Sequence, residues 1–330
     1  MSDTENPLDL HPLSERFNRL TPESVLDAVE AGGHRCTGRF LILNSYENRV
    51  YQLQLEDDSW VVGKFYRPGR WSREALLEEH QFLQELQAEE IPVAAPLPLE
   101  GGSTVGEVEG IYYTLFPRVG GRSPEEPTIE QYGILGRLIA RIHNVGARST
   151  MHHRPPLTVE TYGDENLAIL ESGDHIHPDA RANYVATVKA LLDRIRWRFN
   201  EIPVHRIHGD CHLSNLLWTP DGPLFLDFDD ARVGPAVQDI WMMAASADAH
   251  GARERDHLVG AYQEMRPFNE HWLTLVEPLR ALRFVHYSTW IARRWSDPIF
   301  KKTFNHFGTL QYWQREIQDL REQIARIDDR

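Results

Sequence analysis

Along the first third of the chain, apolar positions repeat with the periods of a mixed sheet-and-helix region. Thr21-Pro22-Glu23 has the form of a helix start, with a hydroxyl at the N-cap, proline at the first helical position and an acid near the positive end of the dipole. Val25, Leu26 and Val29 share one face, and Gly32-Gly33 ends the helix. Phe40 to Leu43 reads as a strand and residues 44–48 as a polar turn. Tyr51, Leu53 and Leu55 alternate with Gln52 and Gln54, as a half-buried strand does. Asp57-Asp58-Ser59 turns the chain into a returning strand, Trp60 to Tyr66. Ser72 is placed to cap a helix running to about Glu89, with an apolar stripe of Leu76, Leu83 and Leu86. Ile91-Pro92-Val93 breaks it, and strands are predicted around 97–108 and 110–116.

Past Gly120-Gly121 the helical period takes over, with helices predicted over 128–144, over 178–199 and from about 236 onward. Between them lie short apolar runs, Val204–Ile207, Leu216–Trp218 and Leu224–Leu226, the last two joined by the turn Pro220-Asp221-Gly222. The pattern predicts an α+β protein in three parts. These are a polar segment 1–20, a sheet-bearing region 21–119 and a mainly helical region 120–330, with a hinge near 117–121.

Composition narrows this picture. The 330 residues suggest about two domains, and 41% hydrophobic with 25% charged residues is ordinary for a globular chain. With 35 basic and 49 acidic residues the net charge is −14, which disfavours non-specific nucleic-acid binding. Two cysteines, Cys36 and Cys211, are too few for a disulfide framework and point to a reducing compartment. There is no signal-peptide pattern and no apolar run long enough for a membrane span, so a cytoplasmic protein without a membrane partner is expected.

The most informative segment is His205 to Asp239, HRIHGDCHLSNLLWTPDGPLFLDFDDARVGPAVQD. Folding its hairpin brings Asn215 and Asp227 toward one point, where an amide oxygen and a carboxylate suit a hard cation such as Mg²⁺. Asp210 lies five residues before Asn215 and is placed to face a substrate hydroxyl as a base. An Asp, an Asn five residues on, and a metal-binding Asp after a strand make the layout of kinase-type phosphoryl transfer.

HGDCHLSN, followed by LDFDD and GPAVQD, resembles the aminoglycoside phosphotransferase and choline kinase branch of the protein-kinase-like fold. More narrowly, LNSYENRVYQ, VVGKFYRP, EEHQF, PVAAP, DDARVGPAVQD and EPLRALR resemble the bacterial stress response kinase A family, from about residue 21 to about 315. The resemblance implies a two-lobe fold, with an antiparallel sheet plus helix in the N-lobe and a mainly helical C-lobe. It also implies ATP-dependent phosphorylation of protein Ser/Thr by a chain expected to act as a monomer.

Residue by residue, the resemblance makes Asp210 the proton acceptor and Asn215 and Asp227 the Mg²⁺ ligands. Lys64, in the strand VVGKFY, corresponds to the lysine that contacts the α/β-phosphates of ATP. Glu79 falls on the inward stripe of its helix and lies thirteen residues before Pro92, so it is expected to be the partner of Lys64, with Glu78 a solvated acid. No G-x-G-x-x-G is present, and Ser45 in the turn Asn44–Asn48 is the candidate phosphate donor. Phe116, before Pro117, is expected to meet adenine through its backbone. Asp239 is read as a support for the catalytic loop and His208 as its brace. Asp229 and Asp230 stay open between loop carboxylates and a metal approach. Cys211, between histidines, is read as a packed residue rather than a redox thiol. His205, His208, Cys211 and His212 do not have zinc spacing. Arg280, Arg283, Arg293 and Arg294 are expected to form the solvated basic edge of a core helix rather than a substrate-facing wall. Rival readings are a small-molecule kinase, a metallophosphoesterase suggested by HGDCH, and a pseudokinase.

Overall fold

In a computed structural model, which describes Phe17 and residues 20–246 and 248–329, helix α1 (Pro22–Ala31) starts at its expected cap, with Thr21 Oγ1 accepting from Ser24 N. Apart from Phe17 and Leu20, the segment 1–20 lies outside the described residues. Strands β1 (Cys36–Leu43), β2 (Arg49–Leu55), β3 (Trp60–Phe65), β4 (Gly106–Val108) and β5 (Ile111–Pro117) form one antiparallel sheet in the order β1-β2-β3-β5-β4. β1 begins earlier than the apolar pattern suggests, because an irregularity between Cys36 and Phe40 lets it resume pairing with β2. The strand expected from residue 97 is a loop as far as β4. Pro96 and Pro98 have no N–H for a ladder, and Leu97 N donates instead to Leu115 O.

Helix α2 (Arg73–Ala88) is capped by Ser72, which accepts from Ala75 N. Its stripe is divided. Leu76 packs with Tyr66 and Val105, while Phe82, Leu83 and Leu86 belong to the same buried core as the C-terminal half. α2 therefore seats the sheet on the helical lobe through apolar contact as well as charge.

The C-lobe opens with α3 (Ile129–Gly146), which carries a complete capping box at Thr128 and Gln131. α3 packs on α7 (Ala249–Gln263) so closely that a Cβ on Gly136 would stand 2.2 Å from Leu258 O. Between them in the chain come α4 (Glu165–Ser172), entered through a π-turn, and α5 (Pro178–Ile195), which ends earlier than expected and tightens into a 3₁₀ turn over 196–199. Two small ribbons follow, β6 (Val204–Ile207) with β9 (Arg232–Pro235) and β7 (Leu216–Thr219) with β8 (Gly222–Phe225). Helices α6 (Val237–Met243), α8 (Val276–Ala292), α9 (Pro298–Thr303) and α10 (Leu310–Asp328) complete the lobe. No helix among the described residues is long and apolar enough to cross a membrane.

Candidate active site

A cavity of about 940 Å³ lies between the lobes. Its floor is the segment between β6 and β9. Gly209 adopts φ +85°, and a Cβ there would stand 2.2 Å from Asp230 O, so glycine is required to turn the chain into Asp210. Buried Asp239 holds this turn from α6. Its Oδ2 accepts from His208 N at 2.8 Å and lies 3.0 Å from His143 Nε2, and its Oδ1 accepts from Gly209 N at 2.9 Å. Gln238 Nε2 donates to Gly209 O at 3.0 Å, and His208 Nε2 lies 2.8 Å from Leu226 O. The geometry agrees with the supporting roles expected for Asp239 and His208.

Both oxygens of Asp210 are held. Arg283 Nη1 lies 2.9 Å from Oδ1, and His212 Nε2 3.2 Å from Oδ2. Burial opposes ionisation, but the His212 bond and the Arg283 charge outweigh it and hold the carboxyl at about 2. Asn215 donates from Nδ2 to Asp210 O at 3.0 Å, and Leu226 N donates to Asn215 O at 2.9 Å. The hairpin thus brings Asn215 beside Asp227, whose backbone adopts the left-handed φ 58°, ψ 63°. All three residues line the cavity, as do Ser45, Lys64, Glu79 and Phe116.

The opposite wall differs from expectation in its pairings. Lys64 Nζ stands 2.7 Å from Asp227 Oδ1 and 3.6 Å from Asp229 Oδ1. Burial favours its neutral form, yet these two carboxylates carry its pKa well above the ordinary lysine value. Glu79 is buried, as its stripe position predicts, but its partner is Arg154, with Nη2 2.6 Å from Oε2. Arg154 also donates to Ala75 O, Asp229 O and Ala231 O, so it ties α2 to the segment just after Asp227. It sits in an aperiodic stretch before Pro155-Pro156, and no sequence signal marked it. Glu78 is not solvated either. It accepts from the backbone N–H groups of His152 and His153 at 2.7 and 3.0 Å.

Asp229 and Asp230, left open by the sequence, belong to an ion cluster between the lobes. Arg70 bonds both of them, Asn48 Nδ2 donates to Asp229 Oδ2 at 3.1 Å, and Arg232 meets Asp230 at 2.6 Å. Glu47, from the turn before β2, joins the cluster through Arg294 at 2.7 Å and Arg67 at 3.5 Å. Ser45 Oγ accepts from Asn48 N at 3.2 Å and so shapes this turn. The expected solvated basic edge is corrected at three positions: Arg283 faces the cleft, Arg294 is buried against Glu47, and Arg280 packs over the Trp241 ring and donates to Ala245 O. Cys211 is buried, and burial, with Asp239 and Asp210 nearby, pushes its thiol well above the usual range.

Asn215 and Asp227 fit a hard cation. The Asn215 amide nitrogen is spent on Asp210 O, which leaves its carbonyl oxygen for a ligand, and Asp227 is half-exposed to the cleft, with Lys64 meeting its Oδ1. Two oxygen ligands with open positions suit Mg²⁺ shared with phosphate. No group of three or more His, Cys, Asp or Glu that could hold a metal ion gathers among the described residues.

The chain matches the phosphotransferase enzyme family over residues 41–274. It is 40% identical over 315 residues to stress response kinase A of Escherichia coli (strain K12), covering 95% of each chain. It is 41% identical over 309 residues to a Salmonella typhimurium protein named serine/threonine protein kinase RdoA, covering 93% of each. Among solved structures, amicoumacin kinase hAmiN in complex with AMP-PNP, Ca²⁺ and Ami superposes with a TM-score of 0.74 at 18% identity, covering 93% of this chain and 95% of that one. A microcompartment-associated aminopropanol kinase gives 0.66 at 18%, covering 92% and 96%. The two structures share the fold, and the sequence relatives place the chain more narrowly: it belongs to the phosphotransferase enzyme family, within its stress response kinase A group.

Proposed function

We propose that this chain is an ATP- and Mg²⁺-dependent protein kinase that transfers the γ-phosphoryl group to a serine or threonine hydroxyl. The observation that carries the reading is the meeting of Asp210, Asn215 and Asp227 on one wall of the cleft with Lys64 on the other. The relatives' names supply the stress-response context and, in one case, the serine/threonine acceptor. Two free cysteines fit a cytoplasmic setting. The two-lobe division at residue 119 belongs to the same reading, as do a monomeric chain and the absence of a nucleic-acid or membrane partner.

Lys64 leaves Asp227 to meet the phosphates, and Phe116 on β5 lines the adenine end. The turn around Ser45 closes over the phosphates through its hydroxyl and backbone N–H groups. Asn215 and Asp227 would hold Mg²⁺, which would neutralise phosphate charge there. Asp210 accepts a hydrogen bond from the acceptor hydroxyl. As the acceptor oxygen bonds to phosphorus and the bond to ADP breaks, the hydroxyl proton passes to Asp210. A carboxyl held at about 2 is a weak base. Its work is therefore orientation, with the proton moving late rather than being stripped beforehand.

The test is γ-labelled ATP with Mg²⁺, with and without generic protein substrates. Label should enter serine or threonine of a protein. Fast turnover of a small alcohol with no protein labelling would instead assign the chain to small-molecule kinases, the activity named for its structural neighbours.

A further inference from the structure

Resting on that reading, we propose that the acceptor end of the cleft selects a hydroxyl flanked by an anionic group, a carboxylate or a phosphate, as in an acidic or phosphorylated peptide. Three observations converge on this.

First, three carboxylates at this end already have cations. Asp210 has Arg283 and His212, Glu47 has Arg294, and Asp230 has Arg70 and Arg232. An acceptor bearing ammonium groups would have to break one of these pairs, or reach as far as Glu165, to find a counter-charge, and breaking a pair is costly where it is buried.

Second, Arg283 is 41% exposed at the mouth, and its contacts with Asp210 Oδ1 and Met242 Sδ both use Nη1. A guanidinium carries five N–H donors, so most of its fork remains for an incoming anion.

Third, the cleft continues past Asp230 and His286 into a second cavity of about 260 Å³. Arg67, Arg70, Arg232, Arg293 and Arg294 line it, against the carboxylates Glu165 and Asp230. Arg67 Nη1, Arg294 Nε and Trp71 Nε1 are buried there without a hydrogen-bond partner among the described residues. Buried N–H groups left unmade are expensive. An anion seated among them would satisfy donors that the protein leaves open, and Arg67 and Arg294 are both more than nine-tenths buried. The stacked pair Tyr287 and Trp290, with ring centroids 5.6 Å apart, forms the apolar side of the passage between the two cavities.

The test uses the full chain with Mg²⁺ and γ-labelled ATP. Serine peptides of one length carry Asp/Glu, phosphoserine, uncharged or Lys/Arg flanks, and a small hydroxy acid and a small amino alcohol run beside them. Acidic or phosphoserine flanks should raise kcat/KM over basic flanks by about tenfold or more, as expected for a charge-assisted hydrogen bond. The carboxylate and phosphate arms show which anion is preferred. Arg293→Glu, at the outer edge of the second cavity and without contact to Asp210, should lower the acidic-to-neutral ratio, mainly through KM. Arg283→Gln should lower it further. Peptide transfer that ignores flanking charge, or an unchanged ratio in Arg293→Glu, overturns this inference and leaves the kinase reading standing. Turnover of the hydroxy acid alone keeps the anion preference and removes the protein acceptor. Turnover of the amino alcohol alone, or no transfer to anything, overturns both.

Discussion

The two walls of the cleft are built in different ways. The C-lobe wall, Asp210 with Asn215 and Asp227, comes from one run of about thirty residues, closed by short-range bonds from Asp239, Gln238 and the β7–β8 hairpin. The wall that joins the lobes draws Glu47, Asn48, Lys64 and Arg70 from the N-lobe against Asp227, Asp229, Asp230 and Arg294, separated by roughly 160 to 250 positions. A local wall holds its geometry however the lobes are set. A long-range wall depends on contacts between the lobes, and those contacts position Lys64.

Variants that strand a buried charge should break the comparison most severely. Arg154→Leu leaves Glu79 buried without its guanidinium and should cost about 3–5 kcal/mol in denaturant unfolding. Because Arg154 also holds Asp229 O and Ala231 O, the loss should reach both walls. If Arg154→Leu unfolds at the wild-type midpoint, the Glu79–Arg154 pair does not hold the lobes together.

Asp239→Asn should act on the local wall alone. Its amide cannot accept from both His208 N and Gly209 N as the carboxylate does, which should cost about 1–3 kcal/mol. Transfer should fall mainly in kcat, because the displaced group is Asp210 rather than the nucleotide contacts. A KM-only effect would mean that the turn keeps its shape without Asp239.

This contrast also explains what the sequence made legible. Asp210, Asn215, Asp227 and Asp239 could be placed because spacing, turns and a family resemblance all act within one segment. The cap at Ser72, the alternation in β2 and the burial of Glu79 were readable for the same reason. The partner of Glu79 was not, since either Lys64 or Arg154 can compensate a buried acid and only tertiary geometry chooses between them. The cleft-facing position of Arg283 is not legible because α8 is amphipathic on either reading, and facing the cleft leaves no periodic mark. The loop before β4 is not legible in a pattern that counts only polarity, where apolar residues outweigh Pro96 and Pro98.

The long-range wall should also be acid-labile. Burial works against ionised Glu47, yet Arg294, Arg70 and Arg67 hold it at about 2, below the ~4.3 of an unfolded glutamate. A depressed carboxylate stabilises fully above pH ~4.3 and loses that contribution as the pH falls through about 2. His80 and His286, pushed down to about 3 chiefly by burial, add losses that begin below pH ~6.5, where the unfolded chain takes up protons first. Glu316, raised to about 7 by burial, acts in the opposite sense, destabilising the fold as the pH rises from ~4.3 to about 7. Melting temperature should therefore fall steeply in acid, and Glu47→Gln should flatten the limb between pH about 4 and 2. An acid limb unchanged by Glu47→Gln would place the lability elsewhere.

The smallest effect belongs to the helix that links the walls. Ser72→Ala removes the cap of α2 and should cost about 1 kcal/mol, with little change in transfer rate. A larger kinetic than thermodynamic effect would show that the start of α2 positions Glu79 and Lys64 more tightly than capping alone requires.

In the proposed reaction Asp210 faces the acceptor while the rest of the cleft holds the nucleotide. The direct measurement is labelled phosphoryl transfer and nucleotide binding on the same preparations of wild type and Asp210→Ala. Transfer should fall by about two to four orders of magnitude, while Mg²⁺-dependent ATP binding stays within a few-fold of wild type. Transfer that survives in Asp210→Ala, or nucleotide binding that disappears together with transfer, would contradict the account.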